Sequence, residues 1–244
     1  MTIETIYNIL AALACFVFGY LIGSVQHGII IGKLFFHKDP RDYGSHNSGG
    51  TNSGRVFGAK IGALVVFLDM MKVIIVFWCC WLVLRFSGIQ NYFEIWDGGS
   101  FYVYLAPLGA AIGHCWPIYN QFKGGKSVAC FMGMNASVSW LIFIFGAIEF
   151  PTIFFRKKIM SITSIISSIL LTIIQWILAI IFMITKWQGV EILTWTFGMG
   201  MMPSFHYFGW EAATICTIIM VILIIRHAAN IKRLKNGTEK PLIK

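Results

Sequence analysis

Charge is scarce in this chain, and acidic charge most of all. Only 12% of its 244 residues are charged, ten of them Asp or Glu, against 57% hydrophobic residues and a mean hydropathy of +0.75. No soluble domain of this length fits that balance. Catalytic signatures are also missing: there is no G-x-S-x-G elbow, no H-E-x-x-H and no carboxylate pair. The six cysteines (15, 79, 80, 115, 130 and 216) are scattered through apolar stretches without a C-x-x-C. That supports neither a disulfide framework nor a zinc site and leaves them as packing residues. Covalent and metal catalysis therefore lack a basis, and no cofactor is expected.

What fills the sequence is hydrocarbon. A membrane span needs roughly 20 apolar residues to cross about 30 Å. Runs over 6–34, 56–84, 101–118, 159–185 and 208–225 qualify. The stretch 128–155 is too long for one upright helix and is interrupted by Asn135, Ser137 and Ser139. It reads as two short helices, either a re-entrant hairpin or a pair of spans. The expectation is an all-α polytopic membrane protein of about seven helices, a single domain over 1–244, with a frayed tail after Asn236. The first run has no basic n-region, only Glu4, and continues into a motif, unlike a cleaved signal peptide.

The net charge of +9 would suggest nucleic acid in a soluble protein, but its placement argues for topology. Lys and Arg concentrate in 33–60, 123–126, 156–158 and 226–244, while the connections 85–100 and 186–207 hold one each. Alternating basic and non-basic loops follow the positive-inside rule. They predict an outside N-terminus, a cytoplasmic C-terminus and all basic regions on the cytoplasmic face, with 128–155 crossing twice. No nucleic-acid partner is expected.

Within the first run, Gly19, Gly23, Gly28 and Gly32 make small-x-x-x-small pairs suited to close helix packing. Ser24, Gln26 and His27 turn its inner half toward protein or water. Asp69 and Lys72 are spaced i, i+3 and suit a pair on one helical face.

Three short basic segments at the ends of the apolar runs hold most of the remaining polarity. The first, 44–55, has Gly44, Gly49, Gly50 and Gly54 among Ser45, Asn47, Thr51, Asn52 and Arg55. Glycines allow backbone N–H groups to converge on an anion, and Arg suits multidentate phosphate recognition. In the second, Gly125-Lys126-Ser127 looks like the end of a P-loop. The required first glycine would fall at Asn120, and a membrane run precedes it in place of a strand, so an NTPase is rejected. Lys123, Gly124, Gly125 and Lys126 still suit an anion, at the start of an apolar helix. His114, just before them, fits a structural or a catalytic role. The third segment, Arg226-His227 with Asn230, closes the last long helix, with His227 and Asn230 on one face. His27, His37, His46 and His206 have no comparable neighbours and read as background. This inventory suits a reaction that holds two phosphorylated substrates together.

With these motifs the chain resembles the bacterial acyl-phosphate:glycerol-3-phosphate acyltransferases, seven-helix membrane enzymes that make lysophosphatidic acid. Their first motif, approximately G-S-G-N-I-G-A-T-N-x-x-R, stands in register with Gly44-Ser45, Asn47, Gly49, Thr51-Asn52 and Arg55. Their second, G-H-x-x-P…F-K-G-G-K-G, matches Gly113-His114, Pro117 and 122–126, and their third, R-H-R-E-N-I-x-R-L, matches Arg226-His227, Asn230-Ile231 and Arg233-Leu234. The departures are His46, Ser48, Gly50 and Ser127, and Ala228-Ala229 where the family carries Arg-Glu.

The resemblance implies acyl transfer from acyl phosphate to the 1-hydroxyl of sn-glycerol 3-phosphate at a plasma membrane, with phosphate released and no cofactor. It assigns catalysis to Ser45, Arg55, Lys126 and His227. Substrate binding falls to Gly44, Asn47, Gly49, Thr51, Asn52, His114, Lys123, Gly124, Gly125 and Asn230. His227, His114 or a substrate phosphate could take the proton. The alternative is a transporter of a phosphorylated metabolite, which would call for polar clusters on both faces and internal repeats. Here the clusters are one-sided and no repeat is visible.

Overall fold

Ser24, Val25 and Gln26 break the first apolar run into two helices, α1 (Ile3–Gly23) and α2 (His27–Phe36). Such a break survives among apolar helices only where the freed backbone finds partners in the protein. Here Lys72 Nζ donates to the Val25 carbonyl at 2.7 Å, and the Ser24 hydroxyl donates to the Tyr20 carbonyl. This computed structural model describes residues 3–86, 100–185 and 210–242; the sequence expectations for the connections around Asn91 and Gln188 lie outside them.

The remaining helices are α3 (Gly50–Phe57), α4 (Ala59–Phe86), α5 (Ser100–Cys115), α6 (Val128–Val138), α7 (Trp140–Lys157), α8 (Met160–Thr185), α9 (Trp210–Arg226) and α10 (Ala228–Lys235). No strand occurs among the described residues, as the all-α expectation requires. Two boundaries differ from it. The first basic segment is helical from Gly50 onward, so Thr51, Asn52 and Arg55 stand on α3 and not in an open loop, and the next long helix begins at Ala59. The last helix bends by 55° at His227, which puts Asn230 on a separate short helix.

The run 128–155 does divide, at Ser139 alone. Ser139 is extended and its hydroxyl accepts from the Leu141 and Ile142 amides, capping α7. Asn135 and Ser137 stay inside α6 because each side chain bonds the carbonyl four residues back.

Polarity is arranged for lipid. Leu10, Leu13, Phe67, Ile148, Phe155, Ile173 and Ile177 face outward. A stripe of Ser164, Ser167, Ser168, Thr172 and Gln175 on α8 points inward, where Ser167 donates to Glu149 and Trp176 donates to Thr217. Polar side chains turned inward and hydrocarbon turned outward are the pattern of a bundle in a bilayer. Among the described residues, three segments are long and apolar enough to cross a membrane: Thr5–Phe36, Ala59–Leu84 and Met160–Ile181. The bent α9–α10 pair makes a fourth when its two halves are counted as one span. At 16 and 11 residues, α5 and α6 reach only about 24 and 16 Å.

α1 and α5 pack backbone to backbone; a Cβ on Gly19 would lie 2.0 Å from the Ala106 carbonyl oxygen. The basic segments meet at one end of the bundle. Arg41 donates to the carbonyls of Asn120 and Lys123, and Lys126 reaches Asn230. The tail expected to fray instead returns to the junction of α7 and α8, where the Leu242 amide donates to the Lys158 carbonyl.

Candidate active site

The three basic segments open onto one cavity of about 320 Å³. Val66, Met70, Met132, Ala147, Phe150 and Met160 give it an apolar wall. Ser45, Thr51, Arg55, Lys126, His227 and Asn230 line its polar end, with Gly49, Asn47 and His114 nearby.

Asn52 builds the first side of this site. It is buried, its Oδ1 accepts from the Ser45 amide at 2.8 Å, and its Nδ2 donates to the carbonyls of Pro40, Tyr43 and Asn47. Its amide is fully engaged in shaping the loop, so the binding role expected of it becomes one of positioning. Gly44 sits at φ +62°, where an added Cβ would fall 2.4 Å from Asn52 Oδ1. Asn47 Oδ1 accepts from the Gly49 amide and fixes the entry to α3. Ser45 and Arg55 remain exposed at the mouth, their side chains available to a ligand.

On the opposite side, Lys126 Nζ donates to Asn230 Oδ1 at 2.6 Å. Burial, aided by Arg233, pulls the Lys126 pKa down to about 8. His227 is buried, with Nδ1 2.8 Å from the Leu223 carbonyl. A carbonyl can only accept, so Nδ1 carries the proton and Nε2 keeps a bare lone pair. Burial lowers the His227 pKa to about 4, with nearby Lys126 adding to the shift, so the ring is neutral at pH 7.

Glu239 belongs to the site and no sequence motif pointed to it. Its Oε1 accepts from Asn230 Nδ2 at 2.7 Å and from the Ser161 hydroxyl at 2.9 Å, while its Oε2 accepts from Arg233. Burial alone would raise the carboxyl pKa; the three hydrogen bonds outweigh it and hold the group ionised. The tail thereby orients Asn230, which in turn holds Lys126.

The second segment divides between two places. Lys123 and Gly124 line a separate polar cavity of about 530 Å³ with Arg41, His46, Gln121 and Arg226. The Gly125 amide donates to the His114 carbonyl at 2.9 Å, and Arg226 takes the carbonyls of Gly124 and Gly125 while lying over the Trp116 ring. The Gly125 N–H is thus already committed, contrary to the expectation that it would face a ligand. Ser127 is buried against α5, its hydroxyl donating to the Ala111 carbonyl at 2.6 Å.

His27 is not background either. Its Nδ1 lies 3.0 Å from Asp69 Oδ1, which also pairs with Lys72 at 3.0 Å. Spacing alone had suggested only the Asp69–Lys72 pair. No cluster of three or more metal-type ligands occurs among the described residues.

Residues 13–237 match the sequence profile of the glycerol-3-phosphate acyltransferase family. The chain belongs to that family. Among its relatives, the glycerol-3-phosphate acyltransferase of Latilactobacillus sakei is 34% identical over 92% of this chain and 89% of its own. That of Mycoplasma mycoides is 36% identical over 91% and 90%. The crystal structure of PlsY (YgiH), an integral membrane glycerol 3-phosphate acyltransferase, in its glycerol 3-phosphate form superposes with a TM-score of 0.70. It is 30% identical, with 94% of both chains covered. Its lysophosphatidic acid form gives a TM-score of 0.68 at 28% identity, with 94% of each chain covered. The integral-membrane fold is therefore shared with this family.

Proposed function

We propose that this chain transfers a fatty acyl group from acyl phosphate to the 1-hydroxyl of sn-glycerol 3-phosphate, releasing phosphate and lysophosphatidic acid. The observation that carries this reading is a single cavity joining Arg55, Lys126, His227 and Asn230 to an apolar wall. Such a shape suits two phosphates and one alkyl chain. Family membership supports the same acceptor.

The hydroxyl oxygen attacks the carbonyl carbon of the mixed anhydride, and the bond from that carbon to the phosphate oxygen breaks. Lys126 and Arg55 neutralise the departing phosphate, the charge that most needs compensation as the reaction proceeds. Ser45, Thr51 and Asn230 orient the two head groups, and the loop of Gly44, Asn47 and Gly49 shapes their seat. The acyl chain lies along Val66, Met70 and Phe150, supplied from the bilayer. The hydroxyl proton passes to His227 Nε2 or to a phosphate oxygen. The donor is already activated, so neither an acyl-enzyme nor a cofactor is needed.

The whole chain acts as one membrane domain with about seven transmembrane helices. Its N-terminus is outside, and the C-terminus and the site are on the cytoplasmic face. In support, the start of α6 and the end of α7 lie at the same end of the bundle as the basic segments, so 128–155 runs in and back. The test is to incubate purified protein with acyl phosphate and labelled glycerol 3-phosphate. Labelled lysophosphatidate is expected; movement of intact glycerol 3-phosphate across sealed vesicles without new product would refute acyl transfer.

A further inference from the structure

Three acceptors surround the ammonium group of Lys72. They are the Val25 carbonyl at 2.7 Å, Asp69 Oδ1 at 3.0 Å and His114 Nδ1 at 3.0 Å. An ammonium has three N–H donors and no acceptor, so each neighbour must accept. His114 Nδ1 is then without a proton, and the neutral ring carries its hydrogen on Nε2. Asp69 does not compete, since its Oδ1 is 3.8 Å from that nitrogen.

The ring is also held in place. Its residue's carbonyl accepts from Gln26 Nε2 and from the Gly125 amide. Its Nε2 edge fills the space a side chain at Gly125 would need, where a Cβ would lie 2.0 Å from Nε2. Asp69 and Lys72 are almost wholly enclosed, at 2% and 4% exposure, so each charge depends on the other and neither can reorient cheaply.

We infer that Lys72 and Asp69 are a positioning pair that locks His114 as its Nε2–H tautomer, a hydrogen-bond donor in the cavity wall and not a general base. The inference rests on the reading of that cavity as the acyl-transfer site. The partner of Nε2–H is an oxygen of a bound phosphate or phosphate ester, the strongest acceptor that chemistry brings there. Proton removal is left to His227 Nε2 or to the substrate itself.

The direct test is a nitrogen NMR spectrum of full-length protein in detergent, with ¹⁵N-labelled histidine and His114 assigned by its loss in His114→Gln. A bare Nδ1 and a protonated Nε2 are expected at neutral pH, with the Nε2–H signal moving when glycerol 3-phosphate is added. A protonated Nδ1, or an Nε2–H signal indifferent to saturating glycerol 3-phosphate in an active protein, would overturn the inference. In kinetics, His114→Gln retains a donor near the Nε2 position and should turn over at least about tenfold faster than His114→Ala. Equal losses in the two would count against a donor role. Lys72→Met alone leaves Asp69 unpaired and threatens folding, so it is combined with Asp69→Asn. That double change should mix the tautomers and slow turnover in the native background, with little added effect beside His114→Gln. An undisturbed tautomer in the double variant would refute the lock. A locked ring in a protein that forms no lysophosphatidate would instead refute the acyl-transfer reading and leave the lock standing.

Discussion

Lys126 and Asn230 are 104 residues apart in sequence and meet across the cavity in a 2.6 Å hydrogen bond. Asn230 spends its other polar atom on Glu239. The amide therefore stands between a cation and a carboxylate, hydrogen-bonded to each. Glu239, which also lines the cavity, offsets the local positive charge, and Asn230 bridges it to Lys126.

Glu239→Gln should lower both stability and turnover. Losing a charged acceptor for Arg233, with the Asn230 and Ser161 contacts weakened, is worth about 1–3 kcal/mol. The thermal midpoint in detergent and kcat at saturating substrate would be measured together. Unchanged values for both would show the tail contact to be incidental.

The alkaline limb of the rate profile should come from Lys126. Its pKa is depressed to about 8, so the ammonium is present below that pH and lost above it. The prediction is that kcat/KM falls by about tenfold per pH unit once the pH is well above 8. Lys126→Arg, whose side chain stays charged, should lose activity at neutral pH through altered geometry but remove the limb. A limb that persists at the same pH in Lys126→Arg belongs to another group.

The three motifs and their convergence at one end were legible because each is local: a few residues at short spacing beside an apolar run. Glu239 was not. It is a lone carboxylate in a tail without a motif, brought back by a reversal at Gly237, φ +68°, and by the Leu242–Lys158 bond. His27 was missed for a similar reason, since its partner Asp69 lies 42 residues away on another helix. Residue type does not reveal whether an amide faces a ligand or its own loop, and the hydrogen bonds of Asn52 to its own loop show only in the fold. The split of the second motif depends on Arg226, which draws Gly124 and Gly125 aside through their carbonyls while Lys126 turns into the cavity.

Ser45 should bind and not attack. It is exposed at the mouth, and the donor needs no prior activation. Ser45→Ala is expected to cost only about 0.5–1.5 kcal/mol, chiefly in KM. Initial-rate patterns should be sequential. Ping-pong kinetics, or an acylated peptide containing Ser45 after exposure to acyl phosphate alone, would contradict direct attack.

Topology is open to labelling. Single cysteines at Asn47, Lys123, Lys157 and Lys240, in a background without native cysteines, should resist an impermeant thiol reagent in intact cells and react after permeabilisation. Cysteines at Asn91 and Gln188 should react from outside. Labelling of position 47 or 123 in intact cells would move the site to the other face.

Turnover of Lys126→Ala and Arg55→Ala tests most directly whether acyl transfer happens in this cavity. A cation aimed at a departing phosphate in a preorganised site contributes about 2–4 kcal/mol. Each variant, shown to be folded by its thermal midpoint, should therefore make lysophosphatidate roughly 30- to 1,000-fold more slowly than the native protein. Native rates in both folded variants would contradict the assignment.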